Sequence, residues 1–257
     1  MVEGLLSRGW AVFAPEPGLT AWARAARTAV LPVMAGAARE CGGTWVVGVD
    51  ALPNDAAGGV GGVALSCQAR AVAEALWGRL ALHRAQVSVI WPGYPRPRAG
   101  EGAAAFRYRR ARDAAHVDGL LPVGPARRRM LREPHAYILG LPLTEADEGA
   151  SPLVVWEGSH HVMRRAFETA LAGFAPRDWG EVDLTETYHA ARREVFETCP
   201  RVAVHARPGA GYLVHRLTLH GVAPWSEGSM APPEGRMVAY FRPQLPEAAS
   251  ALWLDLP

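Results

Sequence analysis

From about Ala85 onward the chain breaks into short apolar runs separated by proline- and glycine-bearing turns, and this punctuation limits the possible folds more than any other feature. The runs are Gln86 to Trp91, Ala104 to Val117, Tyr137 to Leu143, Leu153 to Trp156, Val202 to His205, Gly211 to His220 and Arg236 to Phe241. Many short strands at such spacing close into a sandwich or barrel. Leu184 to Thr198 reads instead as a helix, with Tyr188, Ala191, Val195 and Phe196 as its apolar stripe. Upstream, a short strand at Gly9 to Phe13 precedes a helix for which Thr20 is a candidate N-cap, and Thr28 to Ala38 is also helical. Leu65, Ala69, Val72, Ala73, Leu76 and Leu80 then recur at the helical period. The expected fold is mostly β with flanking α, N-terminal helices packing on a β-sandwich.

At 257 residues and 49% hydrophobic content, one domain over 1–257 can bury a sizeable core. Within it, 1–84 supplies the first strand and supporting helices, 85–245 the β core with insertions at 120–135 and 160–200, and 246–257 a tail. Lysine is absent, all 27 basic residues are arginine, and the formal net charge is only +2, so the domain-wide electrostatic footprint of a nucleic-acid binder is missing. Cys41, Cys67 and Cys199 are far apart and odd in number, which suggests neither a disulfide framework nor a zinc knuckle and fits a reducing cytoplasm. No apolar run approaches the roughly 20 residues of a membrane-spanning helix. A small-molecule substrate is the partner that remains.

Side chains two apart in a strand share a face, so His116 and Asp118 in Ala115-His116-Val117-Asp118-Gly119 can reach one ion. One histidine and one carboxylate, joined by a distant second histidine, make the facial triad that leaves iron(II) with open positions for a bidentate 2-oxo acid and dioxygen. Read as one strand, Gly211 to His220 turns His215 and His220 to opposite faces, and His220, followed by Gly221 at the strand's end, is the preferred third ligand. In Arg236 to Arg242, residues Arg236, Val238, Tyr240 and Arg242 share a face. A guanidinium fork matches the far carboxylate of 2-oxoglutarate, and Arg236 is the candidate for it, with Arg242 as the alternative.

These residues lie in an order that resembles the phytanoyl-CoA dioxygenase family of iron(II)/2-oxoglutarate oxygenases. The resemblance runs from Leu6-Ser7-Arg8-Gly9-Trp10-Ala11-Val12-Phe13 through His116-Val117-Asp118 and the strand Tyr137 to Leu143. It continues through Leu153-Val154-Val155-Trp156-Glu157-Gly158-Ser159-His160, with Glu157 where the family usually has proline, to Arg207-Pro208-Gly209-Ala210-Gly211, Leu219-His220-Gly221 and Arg236. It implies a double-stranded β-helix (jelly-roll, cupin-like) core, iron(II) on His116, Asp118 and His220, and 2-oxoglutarate on Arg236. It also implies hydroxylation of an unactivated C–H bond with release of succinate and carbon dioxide. Retention of Asp118 points to a hydroxylase rather than a halogenase, because halogenating relatives lose that carboxylate. Sixteen positions (236 minus 220) separate His220 from Arg236, longer than the family's usual spacing, and Val222 stands where many members carry a hydroxyl.

Arg107, Arg109, Arg110 and Arg112, with Arg127, Arg128, Arg129 and Arg132, flank the His-x-Asp motif and could attract an anionic substrate. Leu120 to Pro134 reads as a lid. His160 and His161 read as braces of their turn. The rival functions are a cupin-like isomerase or lyase that does not use 2-oxoglutarate, and a non-catalytic sandwich that binds a ligand.

Overall fold

The computed structural model of the protein describes residues 2–246, 249 and 251–257, so 247, 248 and 250 of the expected tail lie outside the described residues. A six-stranded antiparallel sheet contains, in spatial order, β1 (Trp10–Phe13), β9 (Gly211–His215), β6 (Tyr137–Pro142), β11 (Arg236–Phe241), β3 (Gln86–Ile90) and β2 (Trp45–Gly48). A three-stranded sheet contains β10 (His220–Val222), β7 (Leu153–Trp156) and β8 (Arg201–Val204), and His116 joins its edge by an antiparallel bridge to His220. From β3 onward the chain crosses between the sheets in the order large, small (at His116), large (β6), small (β7 and β8), large (β9), small (β10), large (β11). That winding makes the two sheets a double-stranded β-helix, as the resemblance implies.

The core has two layers. Ile138, Leu153, Val155, Val204, Tyr212, Val214 and Val238 fill the space between the sheets. Their neighbours in the same strands, including Leu139, Leu141, Leu213, Ala239 and Phe241, belong to a larger cluster that also takes in helical residues. Those residues come from α2 (Pro17–Ala35), α3 (Gln68–Trp77), α5 (Ser159–Leu171) and α6 (Thr185–Thr198), among them Trp22, Ala73, Phe167 and Val195. Being covered on both faces, β6, β7 and β9 are buried at every position, so their sequences run apolar without alternating.

The structure corrects four expectations. Of the expected strand Ala104 to Val117, residues up to Ala111 are a helix, α4 (Ala103–Ala111), and only His116 joins a sheet. The helix has no buried residue, so the strong helix propensity of its alanines and arginines is not overridden by packing. Gly211 to His220 is two strands, because Arg216 and Leu217 turn the chain from the large sheet to the small one. Leu120 to Pro134 holds a hairpin, β4 (Leu120–Val123) and β5 (Arg128–Leu131), where a lid loop was expected. Thr20 is not an N-cap: α2 starts at Pro17, and the Thr20 hydroxyl donates to the Glu16 carbonyl.

Two packing knots tie the ends together. Arg216, fully buried in the turn between β9 and β10, donates to the carbonyls of Trp253 and Leu256 beside α7 (Leu252–Asp255). His160 on α5 bonds through Nε2 to the Leu6 carbonyl of α1 (Val2–Arg8) at 2.8 Å, while its buried Nδ1 has no partner. Burial holds the His160 imidazole down to about 4, and it holds His215 well below the usual histidine range.

Above about pH 6.5 these two histidines are neutral in both the folded and the unfolded chain. As pH falls towards 4, the unfolded chain takes up protons that the folded chain excludes, so stability falls by up to about 1.4 kcal/mol per pH unit for each residue. Urea denaturation at about pH 7.5 and about pH 5 should show this loss, with a smaller loss in His160→Gln.

Candidate metal centre

His116, Asp118 and His220 converge: one ligand atom from each lies within 4.8 Å of the other two. His116 Nε2 is 3.3 Å and His220 Nε2 is 3.8 Å from the same Asp118 oxygen, Oδ1. Three ligands each about 2.1 Å from a divalent ion in octahedral arrangement stand about 3 Å apart, so the cluster needs little closing to hold one.

Local backbone geometry sets this arrangement. His116 and His220 exchange two hydrogen bonds, N–H to carbonyl, of 2.8 and 3.0 Å. The His116 Nδ1 then lies 3.0 Å from the Ala114 carbonyl, and the His220 Nδ1 lies 2.9 Å from the Thr218 carbonyl. With Nδ1–H donating, each ring has its Nε2 lone pair free for an ion, the tautomer that a metal site requires. Burial lowers the His220 imidazole to about 4, so it is neutral and ready to ligate at neutral pH. Burial works to raise the Asp118 carboxyl, but the His116 and His220 side chains beside it and the Arg242 guanidinium outweigh it and hold it well below the usual range.

Two glycines permit the approach. A Cβ on Gly221 would stand 2.2 Å from the Asp113 carbonyl oxygen, and one on Gly119 (φ +86°) would stand 2.2 Å from that of Glu133. Gly221 therefore admits backbone, which lets the His116 segment lie against β10.

The triad opens onto a cavity of about 260 Å³ lined also by Gln86, Ser88, Tyr240 and Arg242. Arg242 Nη1 reaches Asp118 Oδ2 at 3.3 Å, and Nη2 donates to Gln86 at 2.7 Å. Arg236 does not line this cavity. It borders a separate void of about 10 Å³ with Tyr212, whose hydroxyl donates to that of Tyr240 at 3.0 Å, so the tyrosine pair spans the two spaces. Arg236 is only 8% exposed, its Nη1 has no hydrogen-bond partner, and it forms no ion pair among the described residues.

Other histidines lie elsewhere. His215 accepts the Leu217 N–H on Nδ1 and faces Arg164. His135 sits under the Arg242 carbonyl with Nε2 on Glu133, and His205 bonds to the Ala146 carbonyl. Sequence reasoning did not pick out Gln86, Tyr212 or the Arg242–Asp118 pair. The alternation Gln86-Val87-Ser88-Val89 is a signal for the first, since it places two polar side chains on the cavity face opposite Tyr240 and Val238.

No family model matches the sequence, and no curated protein matches it. Solved structures do. The non-heme alpha ketoglutarate dependent epimerase SnoN from nogalamycin biosynthesis is 16% identical, with 100% of this chain and 88% of that one covered at a TM-score of 0.50. The non-heme alpha ketoglutarate dependent carbocyclase SnoK from the same biosynthesis is 18% identical over 94% and 82% of the two chains, TM-score 0.49. EctD from S. alaskensis, with bound Fe, is 15% identical over 94% and 75%, TM-score 0.48. The likeness to SnoN shows a shared fold.

Gly221→Ala should force the Asp113 carbonyl away and cost about 2 kcal/mol of stability, measured by chemical denaturation, with weaker divalent-metal binding in calorimetry.

Proposed function

We propose that this protein is an iron(II)- and 2-oxoglutarate-dependent oxygenase of the phytanoyl-CoA dioxygenase type, acting on a C–H bond of a small organic substrate. The observation that carries this reading is the convergence of His116, Asp118 and His220 at the wall of a cavity, both imidazoles held with Nε2 towards Asp118. Two imidazoles and one carboxylate suit iron(II), and their grouping on one side would leave the remaining coordination positions open. SnoN, which shares the fold, is itself described as alpha ketoglutarate dependent.

The residues also fit the co-substrate. A guanidinium as buried as that of Arg236, without an anionic partner, is costly, and a carboxylate would offset the cost. Arg242 lines the cavity directly, but its Nη1 faces Asp118 and its Nη2 holds Gln86, which leaves only its Nε without a partner. We assign the far carboxylate of 2-oxoglutarate to Arg236, with the Tyr212 hydroxyl beside it, which the co-substrate would reach from the metal cavity by parting the Tyr212–Tyr240 pair. His116, Asp118 and His220 are the metal ligands in this reading, and Arg242 holds the Asp118 oxygen that faces away from the histidines. When bound, iron would activate dioxygen, the oxidant, with two of its four electrons coming from 2-oxoglutarate as it becomes succinate and carbon dioxide and two from the substrate C–H bond. The protein's part is to orient the substrate carbon and exclude water between the apolar walls of Ile138, Leu153 and Val214. Retention of Asp118 favours hydroxylation over halogenation. The free cysteines fit a cytoplasmic location, and no described helix is long and apolar enough to cross a membrane.

Anaerobic titration of the iron(II)-loaded protein with 2-oxoglutarate should produce the visible charge-transfer band of the chelate. Asp118→Ala and His220→Ala should abolish it, and Arg236→Ala should weaken 2-oxoglutarate binding by at least about tenfold. Iron binding without a band would favour an isomerase or lyase. No stoichiometric iron would favour a ligand-binding sandwich. A band with unchanged affinity in Arg236→Ala but weakened affinity in Arg242→Ala would move the anchor to Arg242.

A further inference from the structure

Outside the metal cavity lies a larger, open vestibule of about 430 Å³, which shares Trp45, His116, Asp118 and Arg242 with it. The fold sorts the arginines of the two flanking segments: Arg109, Arg112 and Arg129 line this vestibule, whereas Arg107, Arg110, Arg127, Arg128 and Arg132 do not. Arg98 and Arg192, distant in sequence, join them. The only carboxylates in its wall are Asp118 and Glu133.

Both carboxylates and two of the six arginines can be paired off. Arg109 holds Glu101 at 2.7 Å, Arg242 holds Asp118, and His135 bonds to Glu133 at 3.2 Å. Arg98, Arg112, Arg129 and Arg192 are left without an ion pair among the described residues. Arg112 and Arg192 lie over the same ring, Phe196, at 4.4 and 5.5 Å from its centroid, and Arg192 is also 5.3 Å from that of Tyr188. Arg98 lies 5.5 Å over Trp45. The Arg192 Nε is buried with no hydrogen-bond partner. Surface arginines normally point apart into water. Here aromatic rings hold two like charges together at the mouth of a cleft, an arrangement that repels itself and attracts anions.

We propose that the vestibule selects a substrate bearing a multiply charged oxyanion group, a phosphate ester or a polycarboxylate, gripped by Arg112 and Arg192 and flanked by Arg98 and Arg129. The group docks there while the carbon chain it carries enters the metal cavity past Trp45. The role as a substrate site rests on the oxygenase reading, but the anion site itself does not.

The test uses metal-free protein, so that iron plays no part, with inorganic pyrophosphate and citrate as separate probes in titration calorimetry. Wild type should bind at least one probe, the stronger binder identifying the phosphate or the carboxylate class, with affinity falling as salt rises. Arg112→Gln, an exposed position that folding does not depend on, and Arg112→Gln/Arg192→Gln should weaken binding, the double variant by roughly tenfold or more. Arg128→Gln, outside the vestibule, should bind as wild type does. Binding of neither probe, or binding that the double variant leaves unchanged, overturns the proposal. Anion binding that depends on Arg112 in a protein giving no 2-oxoglutarate band would sink the oxygenase reading and leave this site standing, whereas the reverse pattern would sink this site alone.

Discussion

Two hydrogen bonds between the backbones of His116 and His220 fix the rest of the centre. They join segments 104 positions apart (220 minus 116) at the edge of the small sheet, where the β10–β7 ladder registers His220 and the His116 segment joins as a single bridge. Every other element of the site follows from that bridge. It brings the two rings to a centroid distance of 4.6 Å, sets each Nδ1 against a carbonyl two residues back, and leaves Asp118 between the two Nε2 atoms. Gly221 and Gly119 are the local requirement for it, because a side chain on either would collide with the neighbouring backbone.

The fold was legible where two-sided burial leaves a strong mark. β6, β7 and β11 stand out in the sequence as apolar runs between turns, and the structure finds them within a residue of the expected bounds. Legibility failed where an exposed element answers only to local propensity. The alternation of Phe106 and Tyr108 with arginines imitates a strand, yet nothing packs on that segment and its backbone takes the helix its alanines favour. It failed again at Arg216 and Leu217, since a turn made entirely of buried residues carries no glycine or proline to announce it.

The grouping of His116, Asp118 and His220 was legible less from the His-x-Asp spacing, which is common in strands, than from the order of motifs along the chain. His220 stands beside the other two and His215 does not, but the parity used to separate them assumed one continuous strand, and the actual cause is a change of sheet. What spacing could not reveal was pairing across the barrel. The Arg242 contact with Asp118, the tyrosine pair between Arg236 and the cavity, and the stacking of Arg112 and Arg192 on Phe196 each join residues from separate elements. Only the three-dimensional winding makes them neighbours.

Arg216 gives the chain's last segment an unexpected reach. Its guanidinium spends its donors on main-chain carbonyls of Trp253, Leu256 and Pro257, and its own backbone forms the corner that delivers His220 to the small sheet four residues later. Lifting Leu252–Pro257 would leave a buried cation with only the 3.4 Å contact to the Ala136 carbonyl at that corner, and the least costly relief is for the corner itself to move towards water. The segment Leu252–Pro257 is thereby mechanically in series with His220.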